Sequence, residues 1–390
     1  MDKHVVLIGA GHAHVEVLRA FGRNPVPGIR LTLITREVDT PYSGMLPGHV
    51  AGHYAAREML IDTRPLARFA DALLHQDEAT GLDLAGRRVL CRGGPPVPFD
   101  ILSIDIGSRP NTAQVPGATE HALPVKPMDG FLPRFEALRT RVLEGRSRRI
   151  LLVGAGAGGV ELLLAAEHRL RRDLAAVGGN PADLGFTLVS AGTDILPAFP
   201  PAFRARFRAI LAARGIAVET AARVTAVESG AVVLEGAPPR RLPADEVLWT
   251  TEAAPAAWLP ETGLALDQRG FIRVDAMLRA TGQDTIFAAG DTIAFDPGPI
   301  PRSGVYAVRA GPVLAANIRA LATGGRLRPF RPQRDALYLV STGTRHAVAT
   351  RNGLVAGGAW AWWLKDWIDR RFMRRFRDLP VPAAGRLSGG

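Results

Sequence analysis

Two stretches of the chain place glycines where a backbone can close around an anion. Val5 to Phe21 reads VVLIGAGHAHVEVLRAF, and Ile150 to Ala166 reads ILLVGAGAGGVELLLAA. Each passes from a β-branched apolar segment through a glycine-rich turn into residues with helical spacing, which is how a βαβ unit opens. Glycines at such a turn let the main chain approach a pyrophosphate, while the following helix aims its free N–H groups and positive dipole end at the phosphates. The second turn is complete, with Gly154, Gly156 and Gly159 ahead of Glu161. The first has Gly9 and Gly11 but His14 in the third position, so an imidazole has to fit between helix and strand. One such turn is a weak signal; two, each between a strand and a helix, point to two bound dinucleotides. The acid that would read a ribose is missing where each second strand ends, at Thr35 and Arg36 and again at Ser190, so NADH and NADPH both stay open.

A third chemical element is TIFAAGD, Thr285 to Asp291. An aspartate at the end of such a strand can accept hydrogen bonds from a polyol at the switch point of a sheet. The helix expected to begin around Arg302 to Tyr306 can stabilise negative charge on a bound ring. Other reactive residues read more plainly. His12 and His14 have metal-ligand spacing, but on a glycine turn they read as packing and phosphate-neighbour residues, and no metal site is expected. The single cysteine, Cys91, reads as an inert buried thiol, and its solitude excludes a disulfide framework and a CxxC redox pair.

The elements that must hold these residues alternate. Strand-like runs are expected at Ile29–Thr35, Ile101–Ile106, Gly185–Ser190, Ala231–Leu234, Glu246–Thr250 and Thr285–Ala289, with helical segments between many of them. Alternation of this kind predicts an α/β fold of two doubly wound, Rossmann-like domains in series. Gly93–Pro98 and Gly236–Pro243 read as hairpin turns or surface excursions, and Phe295–Pro301 as a loop before a helix. From Arg326 the composition changes: four of the six tryptophans fall between Trp360 and Trp367, followed by Arg370, Arg371, Arg374, Arg375 and Arg377. On a helix Trp360, Trp363, Leu364, Trp367, Ile368, Phe372 and Phe376 would share a face, giving an amphipathic, aromatic and basic segment. Its apolar stripe either folds onto the protein or lies in a membrane interface, with arginines on anionic lipid, and the indole content favours the interface or self-association.

Length and charge set the frame. The 390 residues suffice for two to three domains, and 48 Lys+Arg against 37 Asp+Glu give +11, calling for an anionic partner. Met1 to His4 lead straight into an apolar strand, which leaves no room for a signal peptide and makes the cytoplasm the expected location, with the inner face of the membrane as the alternative. No apolar stretch is long enough to span a bilayer. Nucleic acid is disfavoured, because no binding module is recognisable and the positive charge is mostly scattered arginine.

GAGHAH, the IDIGS strand end at Gly107 and Ser108, the complete second turn with GVEL, and TIFAAGD, in this order, resemble the two-dinucleotide flavoprotein oxidoreductases, and within them the type II NADH dehydrogenase-like group. PYSGMLPGHVAGHY at Pro41, LPVKP at Leu123, GVYAVRAGPVLAANI at Gly304 and KDWIDRRFM at Lys365 are most similar to the flavoprotein domain sometimes fused ahead of selenide, water dikinase. The resemblance implies a discontinuous FAD-binding domain at 1–115 and 272–325, an NAD(P)-binding domain at 116–271, and a short α+β C-terminal region at 326–390. It implies Gly9, Gly11, His12 and Ala13 at the FAD pyrophosphate, Thr35 and Arg36 at the adenosine end, and Ala79 beside the adenine. Gly44, Met45 and Gly107 would lie near the flavin, Asp291 at the ribitol and Val305 under the ring edge. NAD(P)H would bind at Gly154, Gly156, Gly159 and Ser190, with Glu161 approaching the nicotinamide. Lys126 would sit by the flavin through the LPVKP likeness, with a solvent-facing linker lysine as the alternative, and Arg302 would offset charge on the reduced ring. The expected activity is a peripheral, FAD-dependent NAD(P)H dehydrogenase passing two electrons to an acceptor, a quinone above others. The rivals are a soluble reductase for a protein or selenium- or sulfur-related acceptor and a non-enzymatic redox sensor; homodimerisation is left open.

Overall fold

A computed structural model describes residues 2–251, 253–333 and 336–380, so the last ten residues of the expected C-terminal region lie outside the described part. The first sheet is built from β1 (Lys3–Ile8), β2 (Ile29–Ile34), β3 (Ala72–His75), β4 (Ile101–Ile104) and, from much later in the chain, Ile286–Ala288. Their order is 286–288, 101–104, 3–8, 29–34, 72–75, and every neighbouring pair is parallel. Between β1 and β2 runs α1 (His12–Arg23). The central strands are nearly continuous runs of buried Val, Leu and Ile, as befits a sheet covered on both faces.

The second sheet has the order 122–124, 246–249, 149–153, 185–189, 216–219, again all parallel. Its first two members in the crossover, β5 (Arg149–Val153) and α2 (Ala157–Ala176), carry the second glycine turn between them. The chain therefore folds as two doubly wound units, with the first sheet completed by a strand that returns after the second. A short antiparallel pair, Arg109–Pro110 with Ala253–Ala254, ties the outgoing and returning connections together. The expected hairpins are present, between 88–91 and 97–98 and between 231–234 and 240–243.

The two glycine turns solve the same packing problem differently. A Cβ at Gly159 would stand 1.9 Å from the Gly154 carbonyl oxygen, so the start of α2 lies almost on its own turn. In α1 the corresponding space is taken by the His14 ring, fully buried, with Nδ1 2.6 Å from Gly9 O and Nε2 2.8 Å from Ser103 Oγ. Both ring nitrogens thus find partners, which is what makes a buried imidazole tolerable.

After α3 (Gly304–Ala322) the chain forms an antiparallel meander of Tyr338–Thr342, Thr344–Arg351 and Leu354–Gly358, then α4 (Ala359–Arg377). Here the expected single apolar face divides. Trp360, Trp363 and Trp367 are each about half exposed, and Ile368 is 36% exposed. Phe372 and Phe376 turn inward with Ala361, Trp362 and Met373. The reason is the helical period: 361, 362, 366, 369, 372, 373 and 376 form the packed stripe, and it contains Asp366 and Asp369 as well as the rings. Among the described residues no helix is long and apolar enough to cross a membrane.

Replacing Gly159 with alanine should force α2 off its turn and lower stability by about 1–3 kcal/mol, the usual size of an overpacking penalty. Thermal denaturation of Gly159→Ala against the parent checks this, and an unchanged melting temperature would contradict the close approach.

Candidate functional site

Three turns converge on one side chain at the carboxyl end of the first sheet. Asp105 follows β4, and its Oδ2 accepts from Ala13 N at 2.8 Å and His14 N at 3.2 Å, while its carbonyl accepts from Gly11 N at 3.2 Å. A Cβ at Gly11 would overlap the Asp105 carboxylate at 2.3 Å, and one at Gly290 would come within 2.4 Å of Oδ1. Gly9, at φ +86°, has no room for a side chain against the Asp105 carbonyl. Burial raises the Asp105 pKa to about 7, against the pull of the Ala13 and His14 N–H groups and with the Asp291 charge adding to the rise. The His14 pKa falls to about 4 through burial. Asp105 was not singled out in the sequence, although it stands inside the IDIGS run.

Asp291, in the turn after the returning strand, receives Lys126 Nζ at 2.5 Å and Ser108 Oγ at 3.5 Å. Lys126 follows the 122–124 strand of the second sheet and precedes Pro127, so this ion pair joins the two units at the mouth of the first. The Lys126 ammonium is therefore tied to Asp291, although the side chain is still 40% exposed. Gly107 beside it, at φ +69°, has nothing within 4 Å of where a Cβ would stand. Val305 opens α3. The Arg302 guanidinium lies 3.5 Å from the centre of the Phe271 ring and donates to Ile293 O at 3.3 Å, and the side chain lines a cavity with Gly290, Asp291 and Ser303. Burial and Arg269 lower its pKa, and the Asp267 and Asp291 carboxylates oppose the fall.

The opposite wall comes from Tyr42, Gly44 and Met45 and from α4. Lys365 Nζ donates to Gly44 O at 2.6 Å and to Asp369 Oδ2 at 2.7 Å, and Tyr42 OH donates to Asp369 Oδ1 at 3.1 Å. Tyr54 OH donates to Asp366 Oδ1 at 2.8 Å one turn away. Burial alone would lower the Lys365 pKa, but the Asp369 and Glu161 carboxylates outweigh it and hold the ammonium form. Tyr42 is pushed above the ordinary phenol range by burial and by Asp369. Glu161 turns toward the C-terminal meander, where its Oε1 accepts from Ser341 N at 2.7 Å; burial raises its pKa and Lys365 opposes the rise. The His12 ring stands edge-on to Tyr42 with centroids 5.5 Å apart, its pKa lowered to about 4 by burial. Lys365, Asp369 and Tyr42 were not singled out in the sequence, although they stand inside the KDWIDRRFM and PYSGMLPGHVAGHY runs.

The remaining expected residues lie at strand ends and at the glycine turn of the second unit. Thr35 donates its hydroxyl to Glu37 O at 2.8 Å, Arg36 pairs with Glu37 at 3.3 Å, and Ala79 is buried in a short strand opposite Cys91. In the second unit Gly154, at φ +116°, packs against Thr250, whose hydroxyl donates to Val153 O and Gly154 O; Gly156 and Gly158 have nothing within 4 Å of an added Cβ. Ser190 Oγ donates to Asp194 O at 3.2 Å.

These residues suit two dinucleotides. Backbone is left open at Gly107, Gly156 and Gly158, and His12 Nε2 is buried at the first turn with no hydrogen-bond partner in the protein, an orphan polar atom that a ligand at the pyrophosphate position would satisfy. Two doubly wound units facing each other across Lys126–Asp291 define the class of two-dinucleotide oxidoreductases. The chain matches the pyridine nucleotide-disulphide oxidoreductase family over residues 3–311 and belongs to it. It is 25% identical over 302 residues to the NADH dehydrogenase-like protein YutJ of Bacillus subtilis, covering 76% of this chain and 78% of that one. It is 28% identical over 295 residues to the demethylphylloquinone reductase NdbB of Synechocystis, with coverage of 73% and 70%. In fold it is similar to the sulfide:quinone oxidoreductase of Aquifex aeolicus, at TM-score 0.82 and 18% identity over 98% of this chain and 93% of that one. The NADH complex of NDH2 from Plasmodium falciparum superposes at TM-score 0.80 and 14% identity, over 97% and 98%.

Opposed buried titrations give the site a pH signature. A histidine depressed to about 4 loses its stabilising contribution as pH falls below 6.5, whereas an aspartate raised to about 7 gains one as pH falls from 7 toward 3.8. Asp105→Asn, which can still accept from both N–H groups, should therefore lose stability more steeply on acidification from pH 7 to 4 than the parent, by on the order of 1.4 kcal/mol per pH unit for one proton. Urea midpoints across that range test it, and parallel slopes for the two proteins would contradict the assignment.

Proposed function

We propose that the protein is an FAD-dependent NAD(P)H dehydrogenase that takes hydride from the nicotinamide and passes two electrons to a quinone. FAD, when bound, supplies the two-electron relay between them. Gly9, Gly11, His12 and Ala13 would hold its pyrophosphate, Thr35, Arg36 and Ala79 its adenosine, and Asp291 its ribitol, with Gly44, Met45, Gly107 and Val305 around the ring. Gly154, Gly156, Gly159 and Ser190 would hold NAD(P)H. The domain limits that follow are 1–115 with 272–325, 116–271, and 326–390.

The chain's own residues then have definite tasks. Lys126 places positive charge beside Asp291 at the meeting of the two units and orients that carboxylate through its 2.5 Å contact. Lys365 keeps a proton at Nζ and fixes the Gly44 carbonyl, so the ring-side turn is rigid and faces a protonated ammonium. Asp369 and Tyr42 form the hydrogen-bonded chain leading away from that proton. Glu161 links the nicotinamide-side helix to the C-terminal meander.

The observation that carries the quinone reading is the two-sidedness of α4. Its inner stripe touches Gly44 through Lys365, while Trp360, Trp363, Trp367 and Ile368 face outward with Arg371 and Arg374 exposed beside them. Arg371 stacks on Trp367 at 5.1 Å. Indoles with neighbouring arginines suit the headgroup level of an anionic bilayer, which would bring a lipid-soluble acceptor within one helix diameter of the site. The names of YutJ and NdbB, an NADH dehydrogenase-like protein and a quinone reductase, support the same reading. We extend it to a peripheral protein at the inner face of the membrane and to kinship with the flavoprotein domain fused to selenide, water dikinase.

Two outcomes are expected. Replacing Trp360, Trp363 and Trp367 together by serine should abolish sedimentation with vesicles containing anionic lipid and cut reduction of a long-chain quinone about tenfold or more, while ferricyanide reduction by NADH or NADPH stays at the parent rate. Full quinone turnover without vesicle binding would refute the membrane-facing role and favour a soluble acceptor. Separately, Asp291→Ala should be purified without the yellow flavin absorbance; a full complement of FAD in that variant would refute the placement of the cofactor.

A further inference from the structure

The only cysteine of the chain is not an isolated thiol. Cys91 closes the strand Arg88–Cys91 and is half-buried, opposite Ala79 in the small antiparallel sheet. His75 ends β3, the edge strand of the first sheet, and Asp77 follows in the bend that leads to Ala79. The sheet edge and the small sheet meet here, and one ligand atom from each of His75, Asp77 and Cys91 lies within 4.8 Å of the others. His75 Nε2 is 3.6 Å from Asp77 Oδ2. A tetrahedral cation with N and O donors at about 2.0–2.2 Å and a thiolate at about 2.3 Å keeps its donors roughly 3.3–3.7 Å apart. The three groups therefore stand close to coordinating distance already, and rotamer-scale movement closes the rest.

The surroundings orient these donors without using them up. Asp77 accepts from Glu78 N at 2.7 Å and from Gly93 N at 3.1 Å on each oxygen, which fixes the plane of its carboxylate. His75 Nε2 is buried and faces Asp77 Oδ2 at 3.6 Å, just beyond hydrogen-bond distance, so the nitrogen has no full hydrogen-bond partner in the protein. Gly93 and Gly94 form the rim. A Cβ at Gly94 would stand 3.4 Å from Asp77 Oδ2 and 3.6 Å from His75 Nε2, so a longer side chain there would cover the donors and glycine leaves the approach clear.

We propose that His75, Asp77 and Cys91 form a binding site for one divalent cation of the zinc class, with three protein ligands and one position open to water. The donor set decides the class. A thiolate is a poor ligand for magnesium or calcium, a carboxylate is a poor one for a monovalent soft ion, and one nitrogen, one oxygen and one sulfur together suit a borderline ion without geometric preference. The site lies away from Lys126, Asp291 and Lys365, on the loop whose backbone is bonded to Thr35 through Thr35 N to His75 O at 3.1 Å and Asp77 N to Thr35 O at 3.2 Å. Its effect is to clamp the edge strand of the first sheet to the small sheet that carries Cys91.

The test uses the untagged, flavin-loaded full chain after treatment with a chelator and desalting. Zinc ion alone is added at one equivalent, metal retained through gel filtration is counted, and alkylation of Cys91 by iodoacetamide is followed by intact mass, which the single cysteine makes unambiguous. Retention of one zinc per chain and an alkylation rate slowed about tenfold or more are expected, with magnesium ion giving no protection. His75→Ala and Asp77→Asn should each retain flavin, keep a reactive thiol and lose most of the protection. The proposal is overturned if the parent retains no zinc, if it retains one zinc per two chains, or if protection is undiminished in both variants.

Discussion

The carboxylate of Asp105 is the constraint on which the first unit depends. It occupies the point where the glycine turn after β1, the end of β4 and the Gly290–Asp291 turn crowd together, and three of the glycines there have room only for hydrogen because that side chain and its carbonyl are in the way. Two N–H groups at the start of α1 are satisfied by it. The helix end that a pyrophosphate would approach is thus already shaped by an internal acid held largely in balance between its charged and neutral forms near neutrality. Removing that group would free three turns at once, whereas changing any one turn would first collide with it.

From this point the rest of the architecture follows in two directions. Toward the second unit, Asp291 is fixed by Lys126, which follows the 122–124 strand of the second sheet, so the geometry of the mouth depends on both units being folded. Toward the C-terminus, Tyr42 and Gly44 are held by Asp369 and Lys365 of α4, and Tyr54 by Asp366. A helix held by three polar anchors, Lys365, Asp366 and Asp369, cannot slide or roll without breaking them, and its outer indoles are set in place by the same registration. That coupling makes α4 both a wall of the site and a surface of the molecule.

Much of this was legible in the sequence. Both glycine turns and the strand runs follow from period and punctuation, because they rest on local backbone chemistry; the return of TIFAAGD to the first sheet was implied only by the family resemblance. Less was legible where long-range packing decides. His14 was visible as a departure from the glycine pattern, but its two hydrogen bonds come from Gly9 and Ser103, the latter on a strand that pairs only in the fold. The contact of Arg302 with the Phe271 ring is one that no local pattern announces. On α4 the aromatic residues suggested a single stripe, and the structure split them, because Asp366 and Asp369 have buried tyrosine and lysine partners worth more than exposure to water. Cys91 read as inert, since nothing in a single sequence announces that His75 and Asp77 lie beside it.

The central claim is that both nucleotide crevices and the α4 wall serve one two-electron path. Its most direct test is an anaerobic stopped-flow experiment on the purified flavin-loaded protein. NADH or NADPH should bleach the flavin absorbance, and a second mixing with a short-chain quinone should restore it at a rate no slower than steady turnover. A flavin spectrum that neither nucleotide changes, or a reduced flavin that the quinone leaves reduced, would contradict it.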